Sequence, residues 1–233
     1  MEQNKIGPDG LTSNERFVQY AISIGAIEFV PEGRKLKSGR ISPYFFNSGL
    51  FNTGETIGEL GKVYAAEVFK HGRPDVIYGP AYKGIPLSVV TAVAVAQLGG
   101  RNVGYAFNRK EEKTHGDGGI IVGASLAGKR VALVDDVMTT GTSSGEAVEI
   151  IRANGGVPID CVIAFDRQER GKESELSAVQ EFEKNYGIPV YAAATLANLI
   201  SYLQKLPEDW GDGGGTEEML NKILAYQEEY GVQ

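Results

Sequence analysis

The fold is decided by one stretch, RVALVDDVMTTGTSSGEAVEII, which occupies residues 130–151. Its apolar run, residues 131–134, has the length and β-branched content of a strand that is buried on both faces. From Ser144 to Arg152 the apolar positions switch to helical spacing. A strand, a loop and a helix therefore follow one another. In an open α/β sheet, ligands bind at such a loop, beside the carboxyl end of the strand.

The loop itself has the chemistry of a phosphate site. Its Thr and Ser hydroxyls, its glycine and the free N–H groups of a helix start all favour an anion. Asp135 and Asp136 would repel that anion unless they accept hydrogen bonds from nearby hydroxyls, such as a ribose diol, or face a cation. These residues together predict a ribose 5-phosphate ligand. The alternative is an ordinary strand end followed by a capped helix, and the density of these groups disfavours it.

Composition limits the class of protein. With 233 residues, of which 42% are hydrophobic, the chain can bury a full core, and we expect a single domain. A net charge of −7 argues against nucleic acid or a membrane as the main partner. One cysteine and two histidines without zinc-site spacing mean that any metal is bound by oxygen atoms. The N-terminus lacks the apolar run of a signal peptide, which predicts a cytoplasmic protein.

The remaining chain alternates strand and helix patterns, which predicts a mostly parallel sheet. An opening helix begins at the capping-box pattern of Thr12 and Glu15. A second strand, residues 75–78, ends on the glycine-rich loop 79–86, which carries Lys83. Residues 108–119 have almost no apolar anchor and read as a mobile, cationic loop that could close over a polyanion, although an ordinary charged hairpin has the same pattern.

Four further stretches, together with the first, are similar to one family. Residues 134–143 resemble the phosphate-binding motif of type I phosphoribosyltransferases, which use 5-phosphoribosyl 1-pyrophosphate (PRPP). The stretches LKSGRISPYFFN, GPAYKG, RKEEKTHG and FDRQER, which begin at Leu36, Gly79, Arg109 and Phe165, resemble the distinctive segments of orotate phosphoribosyltransferases. Thr140 stands where many members of the family have Ala. The resemblance spans most of the chain.

The resemblance implies an α/β fold of the type I phosphoribosyltransferase kind, with a parallel sheet flanked by helices. It implies one domain over residues 1–233, with a small N-terminal hood at 1–50 and a C-terminal extension at 205–233. The implied reaction transfers phosphoribosyl from PRPP to orotate with Mg²⁺ bound mainly through PRPP, and no protein ligand to the metal is assigned. A homodimer is implied, in which the mobile loop reaches the neighbouring subunit's site.

The resemblance also implies the roles of individual residues. Asp135, Asp136, Lys113 and His115 are the expected catalytic residues. Orotate is expected at Phe45, Phe46, Thr139 and Arg167, with Arg167 opposite its carboxylate. The residues expected to bind PRPP include those four catalytic residues and lie in three basic or glycine-rich stretches and in the phosphate loop: Lys37, Tyr82, Lys83, Arg109, Lys110, Val137, Met138, Thr139, Thr140, Gly141, Thr142 and Ser143.

Two alternatives stay open at the level of sequence. A phosphoribosyltransferase for another nucleobase would keep the motif at Asp135 but would have no need of Arg167 for a carboxylated pyrimidine. A regulatory protein could use the same fold to sense PRPP and bind nucleic acid, although the net charge of −7 does not favour that function.

Overall fold

A computed structural model of the chain describes residues 6–113, 119–210 and 215–232, without the side chains of residues 112 and 113. The helices are α1 Ser13–Ser23, α2 Gly54–His71, α3 Gly84–Gly99, α4 Thr142–Ala153, α5 Ala178–Tyr186, α6 Leu196–Leu203 and α7 Gly215–Tyr230. The strands are β1 Ile27–Lys35, β2 Ile41–Phe46, β3 Val76–Gly79, β4 Gly104–Lys113, β5 Gly119–Gly123, β6 Arg130–Asp135, β7 Val157–Asp166 and β8 Val190–Thr195. In these ranges, no helix is both long and apolar enough to cross a membrane.

The strands form two sheets. β1 and β2 make an antiparallel hairpin, and the larger sheet has the order β5-β4-β3-β6-β7-β8. Within it β3 is parallel to β4 and β6, and β6 is parallel to β7, whereas β5 runs antiparallel to β4. The predicted α/β fold with a mostly parallel sheet flanked by helices is confirmed.

The described chain divides into two compact units. The first contains residues 6–51, 165–177, 194–210 and 215–232, and the second contains residues 52–113, 119–164 and 178–193. The predicted hood and the predicted C-terminal extension both fall in the first unit. The single-domain organisation stays a prediction.

The core of the second unit explains why the central strands form. Four residues on the adjacent strands β6 and β7 are fully buried, with 0% exposure: Val131, Leu133, Cys161 and Ile163. Such β-branched and aliphatic runs favour strands that are covered on both faces. α4 places Val148 and its neighbours in the same cluster. Because β3 and β6 are parallel neighbours, their carboxyl ends lie at the same edge of this sheet.

The first unit has its own local signals. Thr12 caps α1, and its side chain and that of Glu15 form the predicted capping box. The Glu15 carboxylate, which is 2% exposed, also accepts hydrogen bonds from the Ser201 hydroxyl at 2.8 Å and from Lys205 Nζ at 2.8 Å. These bonds tie α1 to α6 and to the residues that follow α6.

Asp160 has a buried carboxyl group early in β7. Asp160 is 2% exposed, and its Oδ1 has no hydrogen-bond partner within the described chain. Burial raises the pKa of Asp160 from its ordinary value of 3.8 to about 6, against the opposing effect of Arg130. Since the folded-state pKa is the higher one, the carboxyl group favours folding most below pH 3.8, and this contribution is lost as the pH rises through about 6.

We therefore expect Asp160→Asn to stabilise the protein in a pH-dependent way. The free energy of unfolding should rise by about 1–3 kcal/mol at pH 8, because the variant has no charge to bury, and by much less at pH 4. Urea unfolding at the two pH values measures both numbers, with exposed Asp209→Asn as the matched control. An equal gain at both pH values, or a loss at pH 8, would contradict the prediction.

Candidate active site

Asp135 and Asp136 lie at the carboxyl end of β6, as predicted. They are 8% and 7% exposed, respectively. The Tyr64 hydroxyl donates to the Asp135 carbonyl oxygen at 2.7 Å, and the Asp136 N–H donates to Asp135 Oδ1 at 2.9 Å. Tyr64 comes from α2 and was not singled out in the sequence. These hydrogen bonds therefore fix both the backbone and the side chain of Asp135.

The two carboxyl groups differ in their electrostatic surroundings. Burial raises the pKa of Asp135 to about 7, and the neighbouring charge of Asp136 acts in the same direction. Lys83 Nζ lies 2.5 Å from Asp136 Oδ2. Asp136 thus faces an ammonium group, whereas Asp135 gains or loses its proton near neutral pH. Such a pair can accept hydrogen bonds from a diol and carry negative charge beside it.

The predicted phosphate loop, residues 137–143, runs from β6 into α4. Thr139, Thr140, Thr142 and Ser143 are exposed, while Val137 and Met138 are partly buried. Gly141 has φ +70° and forms the N-terminal cap of α4 without any side-chain hydrogen bond to the helix. The N–H groups of the first turn of α4 are therefore not capped by a side chain, and they can bind a phosphate.

The loop after β3 supplies a second glycine-rich turn in the same unit. A Cβ atom on Gly79 would collide with the backbone of Gly84, so both positions need glycine. Asn108 Oδ1 accepts from the Ala81 N–H at 3.1 Å and from the Tyr78 hydroxyl at 3.0 Å. Asn108 fixes this turn and was not predicted, since an isolated Asn in a polar stretch gives no signal.

Two basic side chains border that turn. Lys83 is the first of them, and its side chain is 64% exposed although it pairs with Asp136. Lys110 Nζ lies 4.8 Å from the centre of the Tyr82 ring, and that Tyr is 68% exposed. The structure thus brings Tyr82, Lys83 and Lys110 to the turn that follows β3, next to Asp136.

The sequence predicts a mobile loop from residue 108 to residue 119, but the structure continues strand β4 into this range. β4 continues to Lys113 and pairs with β5, so residues 108–113 and 119 belong to strands. Arg109 Nη1 donates to the Gly119 carbonyl oxygen at 2.9 Å, which fastens the base of this hairpin. The side chain of Lys113 and the whole of His115 lie outside the described residues, so their predicted roles stay predictions.

The first unit carries the residues that were predicted to bind orotate, with the exception of Thr139. Phe46 is 7% exposed, and its ring stacks on that of Phe165 at a centroid distance of 5.3 Å. Phe45 is partly exposed, and the Arg34 guanidinium lies 3.9 Å from its ring centre. Phe45 is therefore the residue of the pair with ring surface open to a ligand. Lys37 is exposed on the turn between β1 and β2.

Arg167 is held firmly in the same unit. Its side chain is 17% exposed, its Nε donates to Glu169 Oε1 at 2.7 Å, and its Nη2 donates to the Ser42 hydroxyl at 2.9 Å. The guanidinium carbon lies 4.3 Å from the centre of the Tyr44 ring. Glu169 and Ser42 lie inside the stretches that carried the family resemblance, yet nothing in the sequence assigned them these contacts. A fixed guanidinium is suited to a planar carboxylate.

Several known proteins resemble this chain over most of its length. A sequence model of the phosphoribosyl transferase domain matches residues 52–193; this range has the same first and last residue as the second unit but also includes residues 165–177 of the first. An orotate phosphoribosyltransferase of Thioalkalivibrio sulfidiphilus is 47% identical over 95% of this chain and 99% of its own length. One from Marinobacter nauticus is 49% identical over 94% of this chain and 98% of its own.

The chain belongs to the orotate phosphoribosyltransferase family. A crystal structure of orotate phosphoribosyltransferase from Francisella tularensis has a TM-score of 0.81 and 35% sequence identity to this chain, and the match covers 93% of this chain and 99% of that one. The family resemblance inferred from the sequence motifs is thereby confirmed, and so is membership among phosphoribosyltransferase enzymes.

Proposed function

We propose that this protein transfers the phosphoribosyl group of PRPP to orotate, giving orotidine 5′-phosphate and pyrophosphate, a step of pyrimidine nucleotide synthesis. One observation carries the proposal. The paired, buried carboxyl groups of Asp135 and Asp136 lie at the end of β6 and are followed by a short loop into α4, whose N-cap Gly141 has no side chain to cap the helix, in a chain that is 47% and 49% identical to two orotate phosphoribosyltransferases over almost its full length.

The ribose 5-phosphate end of PRPP would use the edge of the sheet. The hydroxyls and N–H groups of residues 137–143 suit the phosphate, because a helix start attracts an anion. Asp135 and Asp136 suit the two ribose hydroxyls, which would donate to their oxygens. As the C1′–O bond breaks, positive charge develops on the ribose. A buried carboxylate stabilises that charge more strongly than water does.

The pyrophosphate end needs positive charge. As the C1′–O bond breaks, its electron pair leaves with the pyrophosphate, and we assign Lys37, Tyr82, Lys83, Arg109 and Lys110 to this anion. A ring nitrogen of orotate attacks C1′ directly and releases its proton, which the departing pyrophosphate can accept, so no side chain is required as a nucleophile. Lys113 and His115 are proposed to stabilise the leaving charge and to exclude water when their loop closes.

Mg²⁺ is the proposed cofactor. The described residues contain no cluster of three His, Cys, Asp or Glu side chains that could hold a metal ion, so no protein ligand is assigned. Mg²⁺ commonly binds through substrate phosphates with few protein ligands, and PRPP offers such oxygens. When bound, Mg²⁺ would neutralise part of the pyrophosphate charge.

Orotate recognition is assigned to Arg167 and Phe45, with Phe46 and Thr139 as further members of the site. The Arg167 guanidinium would pair with the carboxylate that distinguishes orotate from uracil. The ring of Phe45 would stack on the pyrimidine. Phe46, which is buried, would support the position of Phe45.

The direct test is the loss of orotate's ultraviolet absorbance with PRPP and Mg²⁺ in the presence of the purified protein. Parallel assays contain EDTA, or replace orotate with uracil, adenine or hypoxanthine. Turnover that needs orotate and the metal supports the proposal. Turnover of another base would overturn the acceptor, and no turnover of any base would favour the PRPP-sensing protein.

We further infer a homodimer that works in the cytoplasm, where its charged substrates are retained, and in which the loop between β4 and β5 serves the partner subunit. If it does, Lys113→Ala and Asp136→Asn inactivate different halves of one shared site. Mixing and re-forming dimers of the two inactive variants should restore about a quarter of wild-type activity, since half of the dimers are mixed and each has one intact site.

The control for this mixing experiment is the doubly substituted protein Lys113→Ala/Asp136→Asn, mixed with itself, which should remain inactive. Size-exclusion chromatography coupled to light scattering checks that dimers form. No recovery in mixed dimers would mean that the loop serves its own subunit.

A further inference from the structure

The C-terminal helix α7 holds the segment that carries Arg167. The Arg170 N–H donates to the Tyr230 carbonyl oxygen at 2.8 Å, and Arg170 Nη2 donates to the Glu229 carbonyl oxygen at 2.5 Å. The Val232 N–H donates to the Gln168 carbonyl oxygen at 2.9 Å. The two neighbours of Glu169 in the sequence, residues 168 and 170, are thus held by residues 229–232.

Glu169 joins this helix to Arg167. Its Oε1 accepts from Arg167 Nε at 2.7 Å and from the Tyr226 hydroxyl at 2.9 Å, and its Oε2 accepts from Arg40 Nη1 at 3.4 Å. The side chains of Glu169, Arg167 and Arg40 are 12%, 17% and 15% exposed. Hydrogen bonds shielded from water in this way are stronger than exposed ones, and losing one partner leaves a buried group unsatisfied.

The network determines which part of the Arg167 guanidinium is available. Nε faces Glu169 and Nη2 lies between Glu169 and Ser42. The guanidinium also interacts with the Tyr226 hydroxyl, where it opposes the rise in the pKa of that group. A guanidinium held by two of its nitrogens presents the third in a fixed direction, which lowers the entropy lost when a carboxylate binds.

We propose that Tyr226 is a positioning residue for orotate recognition, acting through Glu169 on Arg167; this rests on the proposed function. Tyr226 is 5% exposed, and its hydroxyl reaches the same Glu169 oxygen that Arg167 Nε contacts. Without the hydroxyl, Glu169 Oε1 keeps only the donors of Arg167 itself, and the Arg167 guanidinium becomes less fixed. The C-terminal helix thereby contributes to substrate selection although none of its residues need touch the substrate.

The test is Tyr226→Phe, which keeps the ring and its packing on Tyr44 and Tyr230. KM for orotate should rise about three- to tenfold, with KM for PRPP and the melting temperature close to those of the wild type. Tyr230→Phe is the matched control on the same helix, because the Tyr230 hydroxyl bonds to the Glu229 side chain and the substitution keeps the ring on which Arg40 lies, so its KM for orotate should equal that of the wild type. A purely structural role for Tyr226 would change both KM values and the melting temperature together.

A double-variant cycle identifies the route. In a Glu169→Ala background Tyr226→Phe should raise KM for orotate much less than it does in the wild type, because the carboxylate that Tyr226 shares with Arg167 is gone; an undiminished rise would contradict a route through Glu169. Equal KM values for orotate in wild type, Tyr226→Phe and Tyr230→Phe would overturn the inference while leaving the proposed function intact. A wild-type protein that does not turn over orotate would overturn the proposed function and the inference with it.

Discussion

Asp136→Asn should lower kcat for orotate by about two to three orders of magnitude, because it removes a negative charge from the place where positive charge develops on the ribose. Asp136 is 7% exposed, so its charge is only weakly screened by water. Asn keeps the shape of the side chain and can still accept one hydrogen bond. The substitution therefore tests charge rather than packing.

Two measurements separate the stages of this effect. Initial rates of orotate consumption give kcat, and calorimetric titration gives the affinity for PRPP. Since Lys83 Nζ is 2.5 Å from Asp136, the variant releases this ammonium group toward an anionic ligand, so PRPP affinity should fall much less than kcat. Exposed Asp209→Asn is the control for the loss of one carboxylate. A kcat within about threefold of the wild type would show that Asp136 does not stabilise the transition state.

The sheet and its main loop could be predicted because their signals are local. The run from Val131 to Val134 is apolar throughout and begins and ends with β-branched Val, and the two Asp residues and the hydroxyl-rich loop follow it. The structure places β6 at Arg130–Asp135 and α4 at Thr142–Ala153, within a few residues of the predicted limits. The capping box at Thr12 was predictable for the same reason, since both of its partners lie within four residues.

The extent of β4 could not be read in the same way. Residues 108–113 are one Asn followed by five charged residues and show no alternation of apolar and polar side chains, so they resemble a loop. They form a strand because β5 supplies backbone partners at both ends of the stretch, where Asn108 pairs with Ile121 and Lys113 pairs with Gly119, with an irregularity between the two pairs. Hydrogen bonds of the main chain leave no trace in the side-chain pattern when both faces are solvated.

The residues assigned to orotate show a second limit of prediction from sequence. Phe45 and Phe46 are adjacent on β2, and neighbouring residues of a strand point to opposite faces. We therefore expect one of the two rings to face the core, although the sequence does not show which one. The contacts of Glu169 with Tyr226 and Arg40 span 57 and 129 residues, and no local pattern records bonds between such distant positions.

Arg167→Ala should raise KM for orotate about a hundredfold, since truncating one partner of a desolvated charge pair costs several kcal/mol. Arg167 is 17% exposed, and the guanidinium is already aligned by Glu169 and Ser42. The affinity for PRPP alone should stay within about threefold of the wild type, because PRPP is assigned to other residues. Steady-state kinetics with each substrate varied in turn, together with calorimetry for PRPP, measures both effects.

Arg167→Lys refines the same prediction. Lys keeps the positive charge but lacks the planar fork and the Nε that contacts Glu169, so KM for orotate should lie between those of the wild type and Arg167→Ala. Exposed Arg73→Ala, in the other unit, controls for the loss of one arginine. If Arg167→Ala lowers kcat with KM for orotate unchanged, Arg167 serves the chemical step and does not bind the carboxylate. The Glu169 carboxylate keeps Arg40 and Tyr226 as partners in both variants, so the melting temperature should fall only slightly. A change in KM for orotate can therefore be distinguished from a loss of stability.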